Sequence, residues 1–468
     1  MSDTIQSIQA NVNSYLTVYG TDPNYTHVAD AGMTPPQIST AYNMPASNGA
    51  GVKVGVISLG GGFLQSDLNS SLSDIGLTAP TIRKVLLDGA SGVFNPSDNG
   101  SGENTLDLYC VAGLVPSANI SIYISGGILP SLFADPVYAA SYNAAHPTGF
   151  ANAVQRAIDD NVDVISISWG YAEKLVQSGT SYYLGDFLAN TFANAAAKGI
   201  TVVVASGDNG SEPTTGTPLT EVQYPGSSPN IISVGGTHLS FGTGNVRASE
   251  VPESHAVDPG FPTTWGGGGG LSTYVPVPSW QSGLTYRTYQ ASTNTTGSPT
   301  SLTYRGVPDI AGPMNAYGLY MNGSIGGFGG TSAAAPMMAG MIARYVALTG
   351  KRPTQPLGPL FYGNTTAFYD ITTGNNDTNV SIIGYASTVG WDPVTGLGAP
   401  YSDLVYNIYS NAIGSSGNVV STGSNIRVKT DATTWANVTA VYVKTDATTW
   451  RPANISTKTN STTWQGIF

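Results

Sequence analysis

Gly51-Val52-Lys53-Val54-Gly55-Val56-Ile57-Ser58-Leu59 is an almost unbroken apolar run that ends in Gly60-Gly61-Gly62. It reads as a strand buried on both faces. The same kind of run recurs at Ile120–Ile124, at Val162–Ser168 (VDVISIS), at Thr201–Ala205 (TVVVA) and, shorter, at Pro229–Val234. Helical segments alternate with these strands. One carries Glu103 and Asp107, another covers Ala151–Asp160, and a third covers Phe192–Lys198 with Gly199 as its cap. Thr34-Pro35-Pro36-Gln37 starts a short helix, with proline where a missing N–H costs nothing. The pattern predicts an α/β fold, a mostly parallel sheet with helices on both faces.

Ligands of such sheets bind beyond the carboxyl ends of the strands. Ser168-Trp169-Gly170 ends one strand there, and Ser206-Gly207-Asp208-Asn209-Gly210 ends another. Five glycines, Gly266 to Gly270, follow Trp265 and are expected to form a flexible loop.

The chain has 468 residues, 41% hydrophobic but only 10% charged, with a formal charge of -11. Ser, Thr, Asn and Gly carry the polar share. Few carboxylates leave little to unfold the protein when acids protonate, which suits low pH. No Lys/Arg stripe exists to neutralise phosphates, so nucleic acid is not an expected partner. No run of 18 apolar residues predicts a membrane span. A single cysteine, Cys110, excludes an internal disulfide and reads as a core thiol. Met1-Ser2-Asp3 opens no basic and apolar leader, so either the chain is not secreted by that route or a precursor part is missing.

Four parts are expected. Residues 1–30 are a polar arm, and 31–410 the main domain. Residues 411–425 form a Ser/Gly/Asn-rich linker, and 426–468 a small β-rich repeat tail. In the tail Val428-Lys429-Thr430-Asp431-Ala432-Thr433-Thr434-Trp435 recurs as Val443-Lys444-Thr445-Asp446-Ala447-Thr448-Thr449-Trp450, with a looser copy at Lys458–Trp464. These units predict short hairpins. The tail is either a structural module or an element for attachment and self-association.

Ser332 sits in Gly329-Gly330-Thr331-Ser332-Ala333-Ala334-Ala335-Pro336, a glycine-flanked hydroxyl opening a small-residue helix. Helix N–H groups there favour a developing negative charge. The chain has only four histidines, His27, His146, His238 and His255, and none lies in a setting that marks a base for Ser332. Glu103 and Asp107 stand four apart, on one helical face. Facing carboxylates raise each other's proton affinity and can hold one proton between them in acid. Glu103 can then take the serine proton, with Asp107 orienting it. A protonated Asp208 can donate to an oxyanion, and ionisation would turn that donor into a repulsive charge. Asp370 and Asp392 offer hard oxygen ligands of the kind that suits calcium.

Together these motifs, with Leu59-Gly60-Gly61-Gly62-Phe63, Pro276–Gln281 and Arg305-Gly306-Val307-Pro308-Asp309, resemble the sedolisin family, the serine-carboxyl peptidases. The likeness covers roughly 31–410. It implies a subtilisin-like, seven-stranded parallel sheet and acid endopeptidase cleavage of proteins or peptides through an acyl-enzyme. It makes Glu103 the base, Asp107 its partner, Ser332 the nucleophile and Asp208 part of the oxyanion hole. Ser168, Trp169 and Gly170 look like the segment that pairs with substrate backbone. A calcium ion would be bound by Asp370, Asp392 and the carbonyls of Ile371, Thr388 and Gly390. There are three departures. Ser58 stands where some relatives have an extra glutamate. The 30-odd residues before the domain are too few for the usual prodomain. The repeat tail is unusual, and is loosely similar to repeats of phage and virus particle proteins, which suggests an extracellular or virion-associated protein.

A second reading is a weakly active or silent relative that serves as a particle or surface-binding protein. A neutral lipase or esterase fits poorly, because no G-x-S-x-G elbow is followed by an acid and a histidine.

Overall fold

The computed structural model describes residues 17–126, 149–173, 182–212, 222–258, 264–377 and 383–413, with Asn13, Ser14, Thr220 and six three-residue strands between 427 and 466. Its centre is a sheet of eight strands. In chain order these are β1 (Lys53–Ser58), β2 (Arg83–Leu87), β3 (Asn119–Ser125), β4 (Val164–Ile167), β5 (Thr201–Ala205), β6 (Ile232–Phe241), β7 (Arg247–Pro252) and β8 (Ile310–Pro313). They lie in the order β7-β6-β5-β4-β1-β3-β2, with β8 also beside β6. Seven of them, all but β7, are joined by parallel pairings; β7 runs antiparallel to β6. The subtilisin-like sheet expected from the sequence is thus present, with one antiparallel strand added.

The apolar runs are unbroken because both faces are covered. Side chains alternate across a strand, so Val54 and Val56 enter one core while Ile57 enters the other. Likewise Val203 and Ala205 face one side, and Val202 and Val204 the opposite one. The first core is closed by helices α1 (Asn99–Leu114) and α4 (Thr331–Thr349), the second by α2 (Gly149–Asp159) and α3 (Tyr182–Ala197). Each fully buried Val or Ile contributes roughly 1.5–3 kcal/mol, so this double cover, more than strand propensity, drives the sheet.

The short helix at Pro35–Ala41 starts as expected, with Thr34 and Gln37 capping each other. The five glycines do not form a flexible loop. Gly266 to Gly270 are buried, and Gly270 opens a strand that runs to Pro276. A methyl group on Gly268 would lie 2.4 Å from the Ser206 carbonyl oxygen, and one on Gly269 2.1 Å from that of Pro393. These glycines are there for close backbone packing.

Residues 17–21 pair antiparallel with Ser324–Gly329, the strand that leads into α4. The helix Ser402–Ala412 and buried Ile413 cover the first residues of the expected linker; the rest of it lies outside the described residues. Each tail repeat closes as two antiparallel three-residue strands, such as Arg427–Lys429 with Trp435–Asn437. Among the described residues no helix is long and apolar enough to cross a membrane.

Candidate active site

α1 is buried from Gly100 to Leu114, unusual for a helix holding two acids. Asp98 caps its start by accepting from Gly100 N at 3.0 Å. Gly60, Gly61 and Gly62 lie directly against it, and Asn104 Nδ2 donates to the carbonyls of Gly60 (3.1 Å) and Gly62 (3.2 Å). A side chain on Gly61 would meet Ser101 N at 2.4 Å, so glycine is required there. Glu103 and Asp107 therefore point into a closed interior, both 0% exposed.

α4 brings the serine. Gly330, at φ 117°, turns the chain, and Ser332 is the second residue of the helix. Pro336 sits one turn on and has no N–H to give, so the Ser332 carbonyl lacks its usual helical partner. Ser168, just past β4, meets both helices: its Oγ donates to Asp107 Oδ1 at 2.7 Å and lies 3.4 Å from the Ser332 carbonyl.

Asp208 follows β5, reached through Gly207 at φ 113°. Its Oδ1 accepts from Thr331 N (2.8 Å) and Thr331 Oγ1 (2.7 Å), while Gly207 N donates to the same hydroxyl at 3.1 Å. One oxygen is thus fixed, and the other, Oδ2, has no partner.

Buried polar atoms are normally paired. Here Ser332 Oγ, both Glu103 carboxylate oxygens, Asp107 Oδ2 and Asp208 Oδ2 are all buried without a formed hydrogen bond. Burial pushes Glu103 and Asp107 well above the usual carboxylate range. The charge of Asp107 raises Glu103 further, and the nearby Ser332 hydroxyl pulls it back. Burial raises Asp208 to about 7, against the two Thr331 donors, with a smaller upward push from Glu253. The arrangement keeps acids protonated where a solvated carboxylate would be ionised.

The structure brings Glu103, Asp107, Ser168, Asp208 and Ser332 to one place. Histidine pairs are found elsewhere among the described residues: His27 with Asp74, and His238 with Glu253. His146 lies outside them. Ser58 Oγ donates to the Gly60 carbonyl at 2.8 Å, so it secures the glycine turn rather than the acid pair. Trp169 and Gly170 form a short strand with Tyr171 and Ala172, the middle strand of a three-stranded sheet. Gln223–Tyr224 pair with one part of this strand, and Asn13 and Ser14 pair antiparallel with Gly170 and Trp169.

Asp370 and Asp392 meet in a separate loop. Asp370 Oδ2 accepts from Gly390 N at 2.8 Å, and Asp392 Oδ2 from Thr388 N at 2.9 Å. Asp392 Oδ1 holds Val394 N and Thr395 N, and burial raises this acid to about 7. Asp370 Oδ1 is buried without a partner. An oxygen-only set with an orphaned carboxylate atom fits a hard divalent cation. A second group, His238, Glu253 and Asp258, brings one ligand atom each to within 4.8 Å of the others.

A family model described as the subtilase family matches residues 95–355, and the chain belongs to that family. Within it the likeness is to sedolisins. Kumamolisin of Bacillus sp. (strain MN-32) is 33% identical over 381 residues, covering 80% of this chain and 62% of that protein. Sedolisin of Pseudomonas sp. (strain 101) is 29% identical, covering 82% and 62%. The solved structure of Pseudomonas sedolisin, a serine-carboxyl proteinase complexed with pseudo-iodotyrostatin, superposes with a TM-score of 0.63 at 27% identity, covering 82% of this chain and 99% of that one. The chain spans about 62% of the length of both curated relatives.

Sequence reading missed Thr331 as the clamp on Asp208 and the Ser168 hydroxyl as the partner of Asp107. Pro336 was a usable signal, since a proline inside a helix marks a freed carbonyl one turn back.

Proposed function

We propose that this chain is an acid-active, serine-type endopeptidase. The carrying observation is the set of buried, unpartnered polar atoms on Ser332, Glu103 and Asp208, carried by α4, α1 and the segment after β5 and gathered at one point. Ser332 Oγ attacks the peptide carbonyl while its proton passes to Glu103, and an acyl-enzyme forms on Ser332. Asp107 holds Glu103 in place and shares its proton. Asp208, protonated on Oδ2, donates to the oxyanion. The substrate runs as an extended strand along Trp169–Gly170, taking the antiparallel place that Asn13–Ser14 holds in the structure and displacing it. Proteins and peptides opened by acid would supply such strands.

The test is cleavage of a denatured protein from about pH 2 to 8 by this chain and by Glu103→Gln. Glutamine keeps the shape and removes the base. Acidic cleavage lost by about a hundredfold or more supports the reading. Cleavage that survives in the variant shows that Glu103 is not the base.

We also propose a calcium ion in the loop of Asp370, Ile371, Thr388, Gly390 and Asp392. A bound cation supplies the positive charge that two loop carboxylates lack. Asp392 should stay ionised when it is bound, so binding releases protons and weakens as pH falls. Chelation is expected to lower the melting temperature by several degrees at pH 6, and added calcium to restore it. An unchanged melting curve would remove the ion from this site.

A further inference from the structure

Ser168 is fully buried, and it directly precedes the Trp169–Gly170 segment assigned above to substrate. Its side chain faces inward. The 2.7 Å bond from Ser168 Oγ to Asp107 Oδ1 is the only formed hydrogen bond on either carboxylate of the Glu103–Asp107 pair among the described residues. The same hydroxyl is 3.4 Å from the Ser332 carbonyl, the one that Pro336 leaves free. A hydroxyl donates once, and the short, charge-assisted bond to the carboxylate wins over the longer one to a neutral carbonyl. Ser58 makes no competing bond, since its proton goes to Gly60.

We propose that Ser168 is a positioning residue of the reaction: its hydroxyl pins Asp107 Oδ1 and stabilises the singly ionised form of the acid pair. The inference rests on the serine-carboxyl reading above and deepens it. The groups around the Glu103–Asp107 pair are Cys110 on α1, Ser168 past β4, Asp208 past β5 and Ser332 on α4. None of them is a cation. A negative charge in this interior is therefore held by hydrogen bonds alone, and one hydroxyl supplies the formed one. A donor to the charged form lowers the pH at which the pair first loses a proton. Without Ser168 the pair should ionise at higher pH.

Ser168→Ala is expected to move the acidic limb of kcat/KM up by about one pH unit, roughly tenfold in rate below that limb. KM should hardly change, because the backbone that meets substrate is intact. Added to Asp107→Asn, the same substitution should cost almost nothing more. Ser168→Cys, a weaker donor of similar size, should give a smaller shift in the same direction. If alanine lowers kcat equally at every pH, or its cost is unchanged beside Asp107→Asn, Ser168 only fills space and the inference fails while the peptidase reading stands. A second readout needs no turnover. The carboxyl band of Asp107, isolated by difference infrared against Asp107→Asn, should titrate at higher pH in Ser168→Ala. An unshifted band overturns the inference even in a chain that cleaves nothing.

Discussion

Ser332→Ala is expected to lower kcat on a denatured protein by about ten-thousand-fold or more, with no loss of melting temperature. The Ser168 and Thr331 hydroxyls beside it are committed to Asp107 and Asp208, while no formed hydrogen bond holds Ser332 Oγ. Alanine suits the site, since Ala333 to Ala335 follow on the same buried turn and helix propensity favours it. Losing a buried, unpaired hydroxyl should even stabilise slightly. The substitution also removes the larger of the two hydroxyl contributions, Ser332 and Ser168, that favour ionised Glu103, so Glu103 should hold its proton to higher pH. The measurement is single-turnover cleavage in acid with a parallel melting curve and labelling by a serine-directed acyl reagent. Label on wild type and none on Ser332→Ala places the acyl group. Cleavage that persists in a folded Ser332→Ala protein would take the nucleophile away from this residue.

The sheet was legible because burial on both faces leaves a simple mark. Thr201–Ala205 was read to its ends, and the strands at Gly51 and Val162 to within a few residues. α3 was not: Phe192–Lys198 was expected, but the helix begins at Tyr182. The added stretch, Tyr182 to Thr191, holds only Asp186, Asn190 and Thr191 as polar side chains besides its two tyrosines, too few to show a helical period clearly. Gly266–Gly270 was misread for a different reason. Composition shows that glycine is permitted, but not whether freedom or close packing requires it.

The candidate site was legible as residue types and illegible as contacts. Charged residues are scarce in this chain, so an acid pair four apart and an aspartate after a strand stand out. The bonds that hold them do not. Ser168 and Asp107 are 61 positions apart, and Thr331 and Asp208 are 123 apart. Serine and threonine are common here, and nothing local separates a positioning hydroxyl from a solvated one. Only the fold, by bringing strand ends against the middle of α1 and the start of α4, makes that distinction.

Asp208 carries the second large effect. Asp208→Ala should cost about 10²–10³ in kcat, the usual loss for one oxyanion donor. Asp208→Asn separates the donor from its titration. Asparagine Oδ1 can still accept both Thr331 bonds, which leaves Nδ2 where the unpartnered Oδ2 now stands. That nitrogen donates at every pH. In wild type the donor exists only below about 7, the value to which burial raises Asp208, and is lost as pH rises through it. Wild-type kcat should therefore fall above neutrality, and that limb should be missing or displaced upward in Asp208→Asn. Stability has the same sign. The folded state holds this proton to about 7, while an unfolded aspartate releases it near 3.9. The resulting stabilisation is full below the unfolded value and is lost as pH rises to about 7, a change of roughly 4 kcal/mol. Melting temperature should thus decline between pH 4 and 8 more steeply in wild type than in Asp208→Asn. Equal slopes, or a kcat limb that Asp208→Asn leaves in place, would show that another group titrates at the oxyanion.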